Sequence, residues 1–161
     1  MPRTDRTRRA FTLAEMLIAL ALMALLMVAA ALAIQAAQTS HAYNREKTDL
    51  VSRTRGVLDR IARDVRRAES VTVSVDNHSV DVVLPDGNTH TYTWDAAVGG
   101  NMTYMVTDDA GVPTEPAVLT GFVQTFSVQD EEPTYRFHLV LEGEKASAEA
   151  TITATPRKLL F

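Results

Sequence analysis

The chain has 161 residues, 46% hydrophobic and 22% charged, with seven Gly and six Pro; this suits one ordinary domain plus an extension and excludes a collagen-like or wholly disordered chain. It has no cysteine, which excludes disulfide scaffolds, thiolate-held zinc or iron–sulfur centres and thiol nucleophiles. The net charge of −4 conceals a division into four physically different pieces: a basic start, an apolar run, a basic helix-like stretch and an acidic body.

Residues 1–10 carry Arg3, Arg6, Arg8 and Arg9 against Asp5, and residues 11–35 carry one charge, Glu15. From Met16 to Ile34 there is no charge, no Gly and no Pro. That length approaches the roughly 20 apolar residues that cross a bilayer as a helix. It exceeds the roughly 7–15 of a signal-peptide core. The run reads as a transmembrane helix kept on the protein. The four arginines place the N-terminus on the cytoplasmic side and the rest of the chain outside the cytoplasm. Glu15 does not fit a plain anchor, because a carboxylate in lipid is costly unless it is paired or reaches the headgroups. It either snorkels to the interface or has a cation for a partner.

The residues around it are Arg8-Arg9-Ala10-Phe11-Thr12-Leu13-Ala14-Glu15-Met16. This segment resembles the prepilin motif of type IV pilins and type II secretion pseudopilins. The resemblance implies that a prepilin peptidase removes residues 1–10 as a basic leader, cutting between Ala10 and Phe11. It also implies N-methylation of the new Phe11 amine. Glu15, fifth from the cut, would then pair with the amine of a neighbouring subunit during assembly. Ala10 stands where Gly is usual in that family. The Pro that many major pilins carry in the apolar segment is missing, which is more like a minor pilin or pseudopilin. Two other readings stay open. Thr7-Arg8-Arg9-Ala10-Phe11 also looks like a twin-arginine export signal, with Ala31-Leu32-Ala33 as a signal-peptidase site, although Thr12 and Leu13 depart from that pattern. The chain would then be an exported periplasmic β-rich binding or enzymatic domain. A plain membrane anchor is the third reading.

Helical periodicity continues past the apolar run. Leu50, Val51, Val57, Leu58, Ile61, Ala62, Val65 and Ala68 recur at three- and four-residue steps, opposite Arg53, Arg60, Arg63 and Arg67. Asp59 and Arg63 have the spacing of an i,i+4 ion pair. Gly56 is a weak spot that close packing against a sheet would explain. One helix from about residue 12 to 69 would be roughly 85 Å long. Its first half would be apolar all round and its second half amphipathic.

After Ser70 the period becomes two. Val71, Val73 and Val75 alternate with Thr72, Ser74 and Asp76, and Val80, Val82 and Leu84 alternate with Asp81 and Val83. The Pro85-Asp86-Gly87-Asn88 turn precedes Tyr92 and Trp94. Met102, Tyr104 and Val106 follow Gly99-Gly100-Asn101, and a loop runs from Asp108 to Pro116. Then come Phe122, Phe126 and Val128; Tyr135, Phe137, Leu139 and Leu141; and Ala148, Ala150, Ile152 and Ala154. The fold class expected is α+β: a long N-terminal spine helix packed on an antiparallel meander of about seven strands. The organisation expected is a leader at 1–10, a transmembrane or filament-core helix at 11–35 and a periplasmic head at 36–161.

Nothing in the sequence points to catalysis. His41, His78, His90 and His138 lack metal-ligand spacing, and no nucleophile elbow or phosphate-binding glycine loop occurs. No cofactor is expected. Calcium is the one ion that the acidic runs Asp108, Asp109, Glu115 and Asp130, Glu131, Glu132 could serve, with solvated loops as the default. The arginines of residues 45–67 invite a nucleic-acid reading, but interleaved acids, an acidic body and few aromatics weigh against it. The partners implied by the resemblance are other pilin or pseudopilin subunits, a prepilin peptidase, an inner-membrane assembly platform and the lipid bilayer. The function implied is that of a structural subunit, not an enzyme, in a type II secretion pseudopilus or type IV pilus.

Overall fold

The computed structural model describes residues 12–95, 99–131 and 133–157. The chain divides into two compact units after Ala42. Helix α1 covers Leu13–Arg67, within a turn of the expected bounds. No helix breaker interrupts it, because no Pro occurs between Pro2 and Pro85.

In the first unit, the large apolar side chains from Leu13 to Ile34 are 56–77% exposed. This part of α1 is apolar on every face, as the residue pattern predicts. It is long and apolar enough to cross a membrane.

The second unit holds the hydrophobic core. From Leu50 onward α1 buries the expected stripe, with Leu58, Ile61, Ala62 and Val65 almost fully enclosed. The stripe lies against one face of a seven-stranded antiparallel sheet whose order follows the chain. The strands are β1 Ser70–Val73, β2 Ser79–Val83, β3 Thr89–Trp94, β4 Gly100–Thr107, β5 Ala117–Glu131, β6 Thr134–Glu142 and β7 Ser147–Ala154. The expected α+β meander is therefore what forms. Strand alternation supplies the opposing face: Val80 and Val82, Tyr92, Met102, Phe126 and Val128, and Tyr135 to Leu141 are buried at every second position. Tyr135 on β6 donates its hydroxyl to the Val71 carbonyl on β1 at 3.4 Å. The sheet thus coils far enough to bring its first and sixth strands together. At the other end of the packed helix, Glu46 Oε1 accepts the Lys145 N–H at 3.0 Å and fixes the β6–β7 turn.

Four local expectations are corrected. Val75 does not continue β1. It is fully exposed in a turn, where Asp76 accepts from the Ser74 hydroxyl and Asn77 takes φ 59°. Phe122 is 56% exposed at φ 62°, and Val123 is buried in its place. The β4–β5 register shifts at this point, with Met102 facing Thr120 and Gly100 facing Val123, and the extra residue at Gly121–Phe122 moves those that follow to the other face. Gly56 is exposed, and a Cβ there would meet no atom within 4 Å, so no sheet approaches it. Finally, no ion pair joins Asp59 to Arg63 among the described residues; the i,i+4 pair on α1 is Asp49–Arg53 at 2.9 Å. All four of those side chains face water, where such pairs are worth little.

Candidate functional site

Two polar arrangements stand out: one at the start of α1, one between α1 and the sheet. Thr12 is the N-cap of α1. Its hydroxyl accepts the Glu15 N–H at 3.2 Å, and Glu15 Oε2 accepts the Thr12 N–H at 2.9 Å and the Thr12 hydroxyl at 3.1 Å. This reciprocal capping box satisfies donors that a helix N-terminus otherwise leaves open. Glu15 is exposed, and its second oxygen, Oε1, accepts no hydrogen bond among the described residues. Around the carboxylate lie Met16, Ala19, Leu20 and Met23. The Glu15 carboxylate is thus fixed at the mouth of an uncovered apolar helix with lone pairs still available. The predicted cleavage and methylation residues, Ala10 and Phe11, lie outside the described residues, as does the rest of the basic leader.

With that geometry in place, the comparison with known families is direct. Residues 5–31 match the family described as "Prokaryotic N-terminal methylation motif", the signature of type IV pilins and pseudopilins. The chain carries a prepilin-type N-terminal methylation motif. The match spans the leader and most of the apolar run and does not reach the sheet. No curated protein and no solved structure matches the chain.

The second arrangement was not legible as a site in the sequence. Asp64 on α1 is nearly buried, and its Oδ2 accepts from Tyr92 Oη and from His90 Nδ1, each at 2.6 Å. Burial pushes the Tyr92 phenol well above its ordinary range, and the hydrogen bond to Asp64 adds to the shift. Arg60, one turn earlier, places its guanidinium 3.9 Å from the Tyr104 ring centre. Tyr104 also makes a T-shaped contact with His90 and a tilted one with Tyr92. Arg60 is therefore half-buried in this cluster instead of lying on the solvent face expected for it. The available clue was Asp64 itself, a charged residue three positions after Ile61 and next to Val65, inside the apolar stripe.

In the cluster one carboxylate of α1 accepts from two side chains of β3. Its chemistry is that of a polar clamp between helix and sheet. The other histidines are dispersed: His138 faces Glu149 at 2.9 Å, His78 faces Asp76 at 3.5 Å, and His41 is exposed on α1. Among the described residues no group of three or more His, Asp or Glu converges as a metal site. In the loop offered for calcium, Asp108 caps the Val112 N–H at 2.7 Å. In the other acidic run Glu131 pairs with Arg136 at 3.1 Å, and Glu132 lies outside the described residues.

Proposed function

We propose that this protein is a minor pilin or pseudopilin: a subunit trimmed by a prepilin peptidase between Ala10 and Phe11, methylated on Phe11, and assembled through α1 into a type II secretion pseudopilus or type IV pilus. The observation that carries this reading is the methylation motif seated directly on an uncovered apolar helix. Before assembly the bilayer of the inner membrane covers that helix, with the N-terminus cytoplasmic. Afterwards neighbouring helices cover it, at the prompting of an inner-membrane assembly platform. Work of this kind is assembly, and no substrate is turned over.

Glu15 has the role of a latch. In the single chain its Oε2 closes the capping box. Oε1 is free to take the positive amine that cleavage creates on a neighbouring Phe11. A carboxylate moved out of water into packed apolar helices needs such a cation. Cap and latch are compatible because they use different oxygens.

The test is the mature N-terminus, read by intact mass and N-terminal sequencing. A chain beginning with methylated Phe11 supports the reading, and one beginning at Ile34 overturns it in favour of an exported domain. A second readout is Glu15→Leu, which makes the helix more apolar and so preserves membrane insertion. It should abolish crosslinking to neighbouring subunits. Undiminished crosslinking would return Glu15 to an interfacial role.

A further inference from the structure

The C-terminal end of α1 collects positive charge that the fold does not use. Arg63, Arg66 and Arg67 project there, and the chain returns after β7 to add Arg157, 90 residues further on in the sequence than Arg67. With Thr153 and Thr155 these arginines line an open cleft of about 660 Å³. None of the four is ion-paired among the described residues, whereas Arg53 and Arg136 are. Carboxylates are not far off: Glu69 and Asp86 border the adjoining groove, which shares Arg67 and Arg157. Arg66 and Arg67 sit in the last turn of α1, and the negative end of the helix dipole accounts for two cations there. It does not account for Arg63, or for Arg157, which belongs to another segment.

We infer that this cleft is a docking site for a carboxylate-rich segment of a neighbouring protein subunit. The inference rests on the subunit reading above and names the chemistry of one of its contacts. Guanidinium forks match carboxylates two bonds at a time, and four of them spaced around a cleft match several carboxylates, not one small anion. A nucleic acid fits less well. Among the described residues no aromatic side chain lines the cleft to stack on bases. A long polyanion would also run over the remaining surface of residues 70–161, where thirteen acidic residues face four basic ones. A short acidic segment avoids that repulsion. Runs of the required kind, such as Asp108-Asp109 and Asp130-Glu131, are exposed on this chain itself.

The test uses the full chain in zwitterionic detergent and a decamer of glutamate as probe, followed by thermophoresis at low salt. Binding should weaken steeply as salt is raised. Arg63→Gln/Arg157→Gln should weaken it at least tenfold, while Arg45→Gln/Arg55→Gln, which removes equal charge elsewhere on α1, should change it less than twofold. The first pair leaves the last helical turn intact, and unchanged thermal unfolding confirms its fold. Equal loss in both pairs, or no loss in the first, overturns the proposal. So does binding of pyrophosphate, of a short DNA single strand or of phosphatidylglycerol bicelles in place of the peptide. In native membranes the Arg63/Arg157 variant should keep leader cleavage yet lose crosslinks to neighbours. Unchanged crosslinks would refute the docking site and leave the subunit reading standing. A wild-type chain neither cleaved nor crosslinked would refute the subunit reading first.

Discussion

Removing the Asp64 carboxylate tests how the spine is fastened to the sheet. Asp64→Ala leaves Tyr92 Oη and His90 Nδ1, both 2.6 Å from Asp64 Oδ2, without their acceptor. Tyr92 is fully buried, and the His90 side chain is 16% exposed, so water cannot readily replace it. Hydrogen bonds to a charged group contribute about 1.5–3 kcal/mol each, and breaking a buried charged contact costs about 3–5 kcal/mol in comparable sites. The expected loss is about 3–5 kcal/mol. Asp64→Asn keeps an acceptor but not its charge, and with two bonds weakened by about 1 kcal/mol each it should cost about 2 kcal/mol. Tyr92→Phe removes one of the two donors to the carboxylate and should cost about 1.5–3 kcal/mol. Combined with Asp64→Ala it should add little, because both changes delete the same bond. Urea unfolding of a fragment beginning near Gln38, followed by circular dichroism, measures all four. An Asp64→Ala loss below about 1 kcal/mol, or equal losses for Ala and Asn, would show that the clamp is solvated and not structural.

Three further outcomes follow from the same packing. Gly56→Ala should raise stability by about 1 kcal/mol, because the new methyl meets open space on a helix; a loss on thermal or urea unfolding would mean that something packs there after all. The contribution of Tyr92 to the fragment's stability should be fully present below about pH 10, the ordinary phenol value, and be lost progressively above it. The raised Tyr92 keeps its proton in the fold while the unfolded phenol ionises, and Tyr92→Phe should flatten that alkaline decline. Ile61→Asp should abolish the cooperative transition, since it puts an unpaired charge at a site with no exposure; a fragment starting at Ser70 should aggregate for want of the same helical cover, and gel filtration showing it soluble and monomeric would sever helix from core.

Periodicity made most of this fold legible. The stripe from Leu50 to Ala68 and the strand alternation from Val80 to Ala154 are each set by one repeating geometry, so local sequence suffices. Where the reading failed, the deciding event was not periodic. Val75 left its strand because the Ser74 and Asp76 side chains close a turn, in which the Asn77 N–H donates to the Ser74 carbonyl. Phe122 turned outward because the register of β4 and β5 shifts between Thr120 and Val123 and resets the face. Asp64 and His90 are 26 residues apart, and no local rule joins them.

The same distinction separates the two ends of α1 as sources of function. The N-terminal motif is contiguous: Thr12 and Glu15 are three residues apart, and their capping geometry follows from a single turn of helix. A short linear signature of this kind can therefore be found from sequence alone. The arginine cleft is assembled from the last turns of α1 and from the segment after β7, and only the coiling of the sheet brings Arg157 to Arg67. Leader cleavage, as proposed above, would depend on the first kind of site. A contact that holds only when the head is folded requires the second. If docking at the cleft depends on the fold, then Ile61→Asp, which leaves residues 1–34 untouched, should preserve leader cleavage in membranes while eliminating binding of the acidic peptide. Loss of both together would mean that cleavage also requires a folded head.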